Sequence, residues 1–152
     1  MKLINTTVEH IDVVVKNISE EDFNEYIAYK KYIIGNEDIQ LYDHLVLALS
    51  QYQLLTLIHS DIVIGIGGDI NGNSWFLVTK ELATLSKEEK KEFFITMNQH
   101  KEKVLDESGL IWNYVWEGNI THIEFLRRLG AVFPLNIPNV PEQFKYFEIR
   151  RN

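Results

Sequence analysis

"LLTLIHSDIVIGIGGDINGNSWFLVTK", Leu54 to Lys80, holds three apolar runs rich in β-branched residues, separated by two turn signals. Ser60-Asp61 marks the first turn. Asn71-Gly72 marks the second: a two-residue type I′ turn needs φ > 0 at both central positions, and Asn and Gly tolerate that best. The stretch predicts an antiparallel meander with strands at about 54–59, 62–70 and 73–79.

The segment after the meander sets the class of sheet. In "LSKEEKKEFFITMNQHKEKVLDESG" (85–109), Ser86 and Glu89 have capping-box spacing. Phe93, Phe94, Met97, Lys101, Val104 and Leu105 form a helical stripe, and Gly109 is a natural stop. "LIWNYVW" (110–116) is apolar on both faces, as suits a central strand. A helical crossover of this length places the strands on either side of it parallel and right-handed. Next, Asn119 can cap a helix whose Ile123, Phe125, Leu126 and Leu129 face a core; Gly130 ends it, and a short strand comes next at 131–133. Pro134, Pro138 and Pro141 punctuate a link to a last strand at 144–149.

Upstream, the run Ile11 to Val15 predicts a strand. Ser19 and Asp22 have the spacing of a cap for a helix over 20–32, and Tyr42, Leu45, Val46 and Leu49 line one over 39–52. The expected order is β-α-α-β-β-β-α-β-α-β-β. This is one α/β domain over 1–152, with a mixed, mostly antiparallel sheet flanked by helices.

Composition narrows the chemistry. The net charge of −7 and the absence of a basic patch argue against a nucleic-acid partner. The absence of cysteine removes disulfides, thiolate nucleophiles and Cys-based zinc sites. The five histidines form no HExxH pair, so no metal site is expected. No apolar run is long enough to span a membrane and no signal peptide is visible, so the expected location is cytoplasmic. "GIGG" (65–68) lies inside a strand and opens no helix, so it is not a dinucleotide fingerprint. "DINGN" (69–73) starts like a calcium loop, but Ser74 and Lys80 stand where Gly and Glu are needed.

The element order, together with "EGNITHIEFLRRLGAVF" (117–133), resembles the GNAT family, the Gcn5-related N-acetyltransferases. Asn119, Phe125 and Gly130 match the family pattern; His122, Leu126 and Ala131 stand where Ala, Tyr and Phe are usual. "SWFLVTKEL" and "LIWNYVW" bring the chain closer to small acetyltransferase-like proteins of tailed phages. The resemblance implies a parallel, splayed central strand pair, with acetyl-CoA as cofactor and direct transfer to an amine, small molecule or protein. It implies that pantetheine pairs with the strand end at Leu77, Val78, Thr79 and Lys80, and that Asn119 reaches the arm. With Leu126 in place of the usual Tyr, Tyr114 is the candidate acid and Glu117 the candidate base; Asp69 and His59 are weaker candidates. His122 falls on the first turn of a helix, where partial exposure is its ordinary fate. The stretch 79–93 lacks the glycines that usually cradle the pyrophosphate. That departure motivates the alternative: a catalytically degenerate GNAT-fold binding protein that engages a host or virion protein, in the host cytoplasm or in the virion.

Overall fold

The computed structural model describes residues 1–151. A single six-stranded sheet runs in the order β1 (Lys2–Asn5), β2 (Leu54–His59), β3 (Ile62–Ile70), β4 (Asn73–Val78), β5 (Leu110–Trp116), β6 (Phe144–Arg150). Every neighbouring pair is antiparallel except β4 and β5. The hairpin forms as its sequence predicts, with Asn71 and Gly72 both at positive φ. Helices α1 (Val8–Asn17), α2 (Glu20–Tyr29) and α3 (Leu41–Gln51) come before β2 in the chain. The short α4 (Glu81–Thr84) and the long α5 (Lys87–Ser108) join β4 to β5, and α6 (Ile120–Arg128) comes after β5.

Two expected strands are corrected. Ile11 to Val15 lies within α1. Thr7 caps that helix, its hydroxyl accepting from the His10 amide while the His10 ring accepts from the Thr7 amide. Ile11, Val14 and Ile18 are buried at helical spacing. Burial of that stripe outweighs the weak strand preference of β-branched residues. The stretch 131–133 makes only a one-residue bridge, Val132 to Glu148, because Pro134 has no N–H with which to continue a ladder. The first strand of the sheet is instead β1, pairing Lys2–Asn5 with Ile58–Leu55. The helix expected over 20–32 ends at Tyr29 and passes into a π-helical turn, Lys30–Ile34, closed by Gly35 at φ 74°.

The sheet separates two layers. Ile11, Val14, Leu45, Leu54 and Ile66 pack on the face covered by α1, α2 and α3. Ile111, Val115, Ile123, Leu126 and Phe147 pack on the face covered by α5 and α6. The "GIGG" glycines make room within these layers. A Cβ on Gly65 would lie 2.6 Å from the Phe76 ring and from the Leu77 carbonyl, and one on Gly68 would lie 2.7 Å from Tyr52.

Candidate functional site: the splay between the parallel strands

β4 and β5 meet in register at one pair, Asn73 with Trp112, and then diverge. At the closed end the Trp112 amide donates to the Gly72 carbonyl (2.9 Å) and Asn73 Nδ2 to the Trp112 carbonyl (3.3 Å). Midway, Asn113 bridges the gap, its Nδ2 donating to the Ser74 carbonyl (2.9 Å) and its Oδ1 accepting from the Tyr114 amide (2.7 Å). Between the strands lies a cavity of about 510 Å3, bordered by Trp75, Tyr114 and His122, with walls from α2 and α3 on one side and α5 on the other.

The open end is closed by α2 and α6. The Asp22 carboxylate accepts from the Val78 amide (2.8 Å), and Glu25 accepts from the Trp116 amide (2.9 Å). Asn119 Nδ2 donates to both carboxylates, at 2.9 Å to Asp22 and 2.8 Å to Glu25. Its Oδ1 caps α6 by accepting from the His122 amide (3.2 Å). His122 Nδ1 lies 2.9 Å from Glu25, and the ring keeps 22% of its surface open. Asn119 is therefore a cap, as its sequence position suggests, and also the donor that holds two acidic side chains in a buried place (1% exposed). The turn before α2 adds backbone pairing. The Ser19 amide donates to the Val78 carbonyl (2.9 Å), the Lys80 amide to the Asn17 carbonyl (2.8 Å), and Ile18 bridges antiparallel to Thr79.

The charges arise from this packing. Burial raises Asp22 above the ordinary carboxylate value, against the pull of His122, the Val78 amide and Asn119. Burial pushes Glu25 the same way, but its bond to His122, the Trp116 amide and Asn119 outweigh it and hold Glu25 low. Burial disfavours the charged His122 ring, yet the bond to Glu25 and the charges of Glu25 and Asp22 raise it. These signs predict a pH dependence. The His122 contribution is complete below its unfolded value near 6.5 and is lost as pH rises through the raised folded value. Asp22, also raised, acts in the same direction. Glu25, lowered, contributes above its unfolded value near 4.5 and loses that contribution only as pH falls through its lower folded value. Urea midpoints are expected to fall from pH 6 toward pH 9, and His122→Gln is expected to flatten that limb.

Asp22, Glu25 and His122 bring ligand atoms within 4.8 Å of one another, as a metal site would. The Asn119 NH2 group, however, points its protons at the two carboxylates. A cation there would face a donor, which disfavours a metal in this arrangement.

The candidate residues scatter around this arrangement. Tyr114 borders the cavity, whereas Glu117 is exposed in the turn beyond β5, its amide donating to the Gln143 carbonyl (2.9 Å). The Thr79 amide donates to the Ile64 carbonyl of β3 (2.9 Å), and its hydroxyl to the Val63 carbonyl (2.8 Å). Backbone alternation turns Leu77 toward β3 as well and leaves Val78 facing the splay. Asp69 holds its own hairpin through the Gly72 amide and Ser74, and His59 pairs with Glu89. Nothing in the sequence marks Asp22 and Glu25 as site residues. The Ser19 hydroxyl does accept from the Asp22 amide, as a cap should, but the Asp22 carboxylate turns to β4 instead of back to Ser19.

Comparison with known proteins places this geometry. The family described as "Bacteriophage T7, probable scaffold protein Gp13" matches residues 52–136, more than half of the chain. The chain belongs to this family. The probable scaffold protein gp13 of Escherichia phage T7 is 37% identical over 70 residues, which are 46% of this chain and 51% of that protein. The match thus spans about half the length of the curated relative. Among solved structures, the ribosomal-protein-alanine N-acetyltransferase of Brucella melitensis superposes with a TM-score of 0.61 at 12% identity, covering 99% of this chain and 100% of that one. The Campylobacter jejuni N-acetyltransferase PseH, solved with acetyl coenzyme A, gives 0.58 at 13% identity, covering 99% of each. The PaiA N-acetyltransferase of Thermoplasma acidophilum, solved with coenzyme A, gives 0.59 at 13% identity, covering 99% and 100%. The fold is that of the GNAT acetyltransferases, with the mixed sheet and the splayed parallel pair that the resemblance implies. At its open end the Val78 amide and carbonyl, the Lys80 amide and the Trp116 amide are already hydrogen-bonded within the chain. No helix among the described residues is long and apolar enough to cross a membrane.

Proposed function

We propose that this gp13-family protein is a component of phage particle assembly that works by binding another particle protein through an aromatic sheet face. The observation that carries this reading is an aromatic cluster on the β5–β6 end of the sheet. Trp112 and Tyr114 of β5 and Tyr146 of β6 form a triangle with ring centroids 6.1–6.3 Å apart. All three are half-buried, and none joins a core cluster. On the same strand, Ile111 and Val115 point the other way, into the α5–α6 layer. Trp and Tyr dominate the energetics of protein interfaces because each contributes a large rigid surface and a polar tip. The probable scaffold role of the T7 relative supports the same class of work. The test is co-expression with each structural protein of the parent phage, read by light scattering after gel filtration. A defined complex is expected, and Trp112→Ala should weaken it at least tenfold. Failure of every structural protein to bind would overturn the reading.

The second reading is transfer of an acetyl group from acetyl-CoA to an amine. The cavity between β4 and β5, bordered by Tyr114 and by the His122–Glu25 pair, favours it. Under it, Tyr114 serves as acid and Glu117 as base, with Val78 of the strand end facing the cofactor. Release of free CoA in the presence of amines, abolished in Tyr114→Phe, would support this reading over the first.

A further inference from the structure

We infer that the α1–α2 turn is a built-in occupant of the cofactor slot, with Asp22 and Glu25 standing on the strand amides that a pantetheine arm would need. A bound arm has to pass the end of β4 and pair with its splay-facing backbone. In this chain, residues 17–19 already run antiparallel to 78–80, with both hydrogen bonds of that pair made. The Val78 amide, the next donor inward, is taken by a carboxylate rather than left for a carbonyl. On the facing strand, the Trp116 and Tyr114 amides are taken by Glu25 and by the neighbouring Asn113 side chain.

Removing the occupant is costly because it is held from both sides. Lifting α2 would strip Asn119 Nδ2 and His122 Nδ1 of their acceptors, and each lost charge-assisted bond is of the stronger class. A second closure lies on the opposite face. Phe125 of α6 packs at 5.4 Å on Phe93 of α5 and edge-on at 6.2 Å to Phe94, tying together the two helices that flank the splay. Phe93 in turn meets Phe76 of β4 at 6.2 Å. The first turn of α5 is also engaged: Ser86 and Glu89 cap each other's backbone groups, so part of the usual anion-binding donor set is already used. Three separate contacts thus act on one path, and the loop that precedes α5 has no glycine to offer instead.

The experiment is amide hydrogen exchange on the isolated protein, then titration with coenzyme A and acetyl-CoA to millimolar concentration. Val78 and Trp116 are expected to be protected without ligand, at levels near those of the core strands. Neither ligand should change their exchange, their chemical shifts or the melting temperature. Asp22→Ala should speed exchange at Val78 at least tenfold; Asp22→Leu, which fills a similar volume without an acceptor, serves if the alanine variant does not fold. Unprotected Val78 and Trp116 amides, or saturable CoA binding that shifts them, would overturn the inference. These readouts do not involve the Trp112 face, so a failure here and a failure of partner binding remain distinguishable.

Discussion

Asn119→Ala is expected to lower stability by about 3 kcal/mol, a drop in melting temperature of roughly 6–12 °C for a chain of this size. Three losses combine at one buried position. The N-terminus of α6 loses its cap, which costs about 1 kcal/mol. Buried Asp22 and half-buried Glu25 lose a shared donor, and an under-satisfied buried acceptor costs about 1–3 kcal/mol. Asn119→Asp separates these effects. It keeps the capping oxygen but sets a third carboxylate against the other two, so it should be no more stable than the alanine variant at neutral pH and should recover at acid pH. Urea denaturation of the three proteins at pH 5 and pH 7.5 provides the comparison. An alanine variant within about 1 kcal/mol of the parent would mean that Asn119 only caps its helix.

The contrast between the hairpin and this cluster shows what a sequence carries. Asn71-Gly72 is legible because a type I′ turn is a local demand on φ, met by two adjacent residues. Asn119 as a cap, Gly109 as a stop and the period of α5 are local in the same sense. The stretch that forms α1 misleads because its β-branched run is itself a local signal, pointing the wrong way. The correcting signals, the Thr7–His10 cap and the stripe Ile11, Val14, Ile18, are weaker and easily passed over. The site lies outside this logic altogether. Asp22 and Glu25 meet Asn119 and His122 across a sequence separation of almost a hundred residues, and nothing near either pair announces the other. His122 in place of the family's usual small residue is the one visible trace. Its meaning, a ring bonded to Glu25 and close to Asp22, depends on the fold.

Gly72→Val is expected to destabilise the protein by at least about 4 kcal/mol, enough to leave much of it insoluble on expression. Gly72 adopts φ 94°, which a β-branched residue occupies only with strain. A Cβ there would also lie 2.0 Å from the Leu110 carbonyl oxygen, a backbone atom that cannot swing away. Gly109→Ala isolates the first effect. Gly109 has φ 74° but nothing within 4 Å of its Cβ position, so alanine there should cost only about 1–2 kcal/mol. The difference between the two variants measures the close approach of the β3–β4 turn to the start of β5. That approach is what joins the parallel strands at one end, through the Trp112 amide and the Gly72 carbonyl. With the strands fixed there and held apart at the other end by Asp22 and Glu25, the splay is a rigid wedge. The weaker Gly72→Ala is therefore expected to loosen Asn73 and Trp112 in hydrogen exchange before it disturbs Val78 and Trp116.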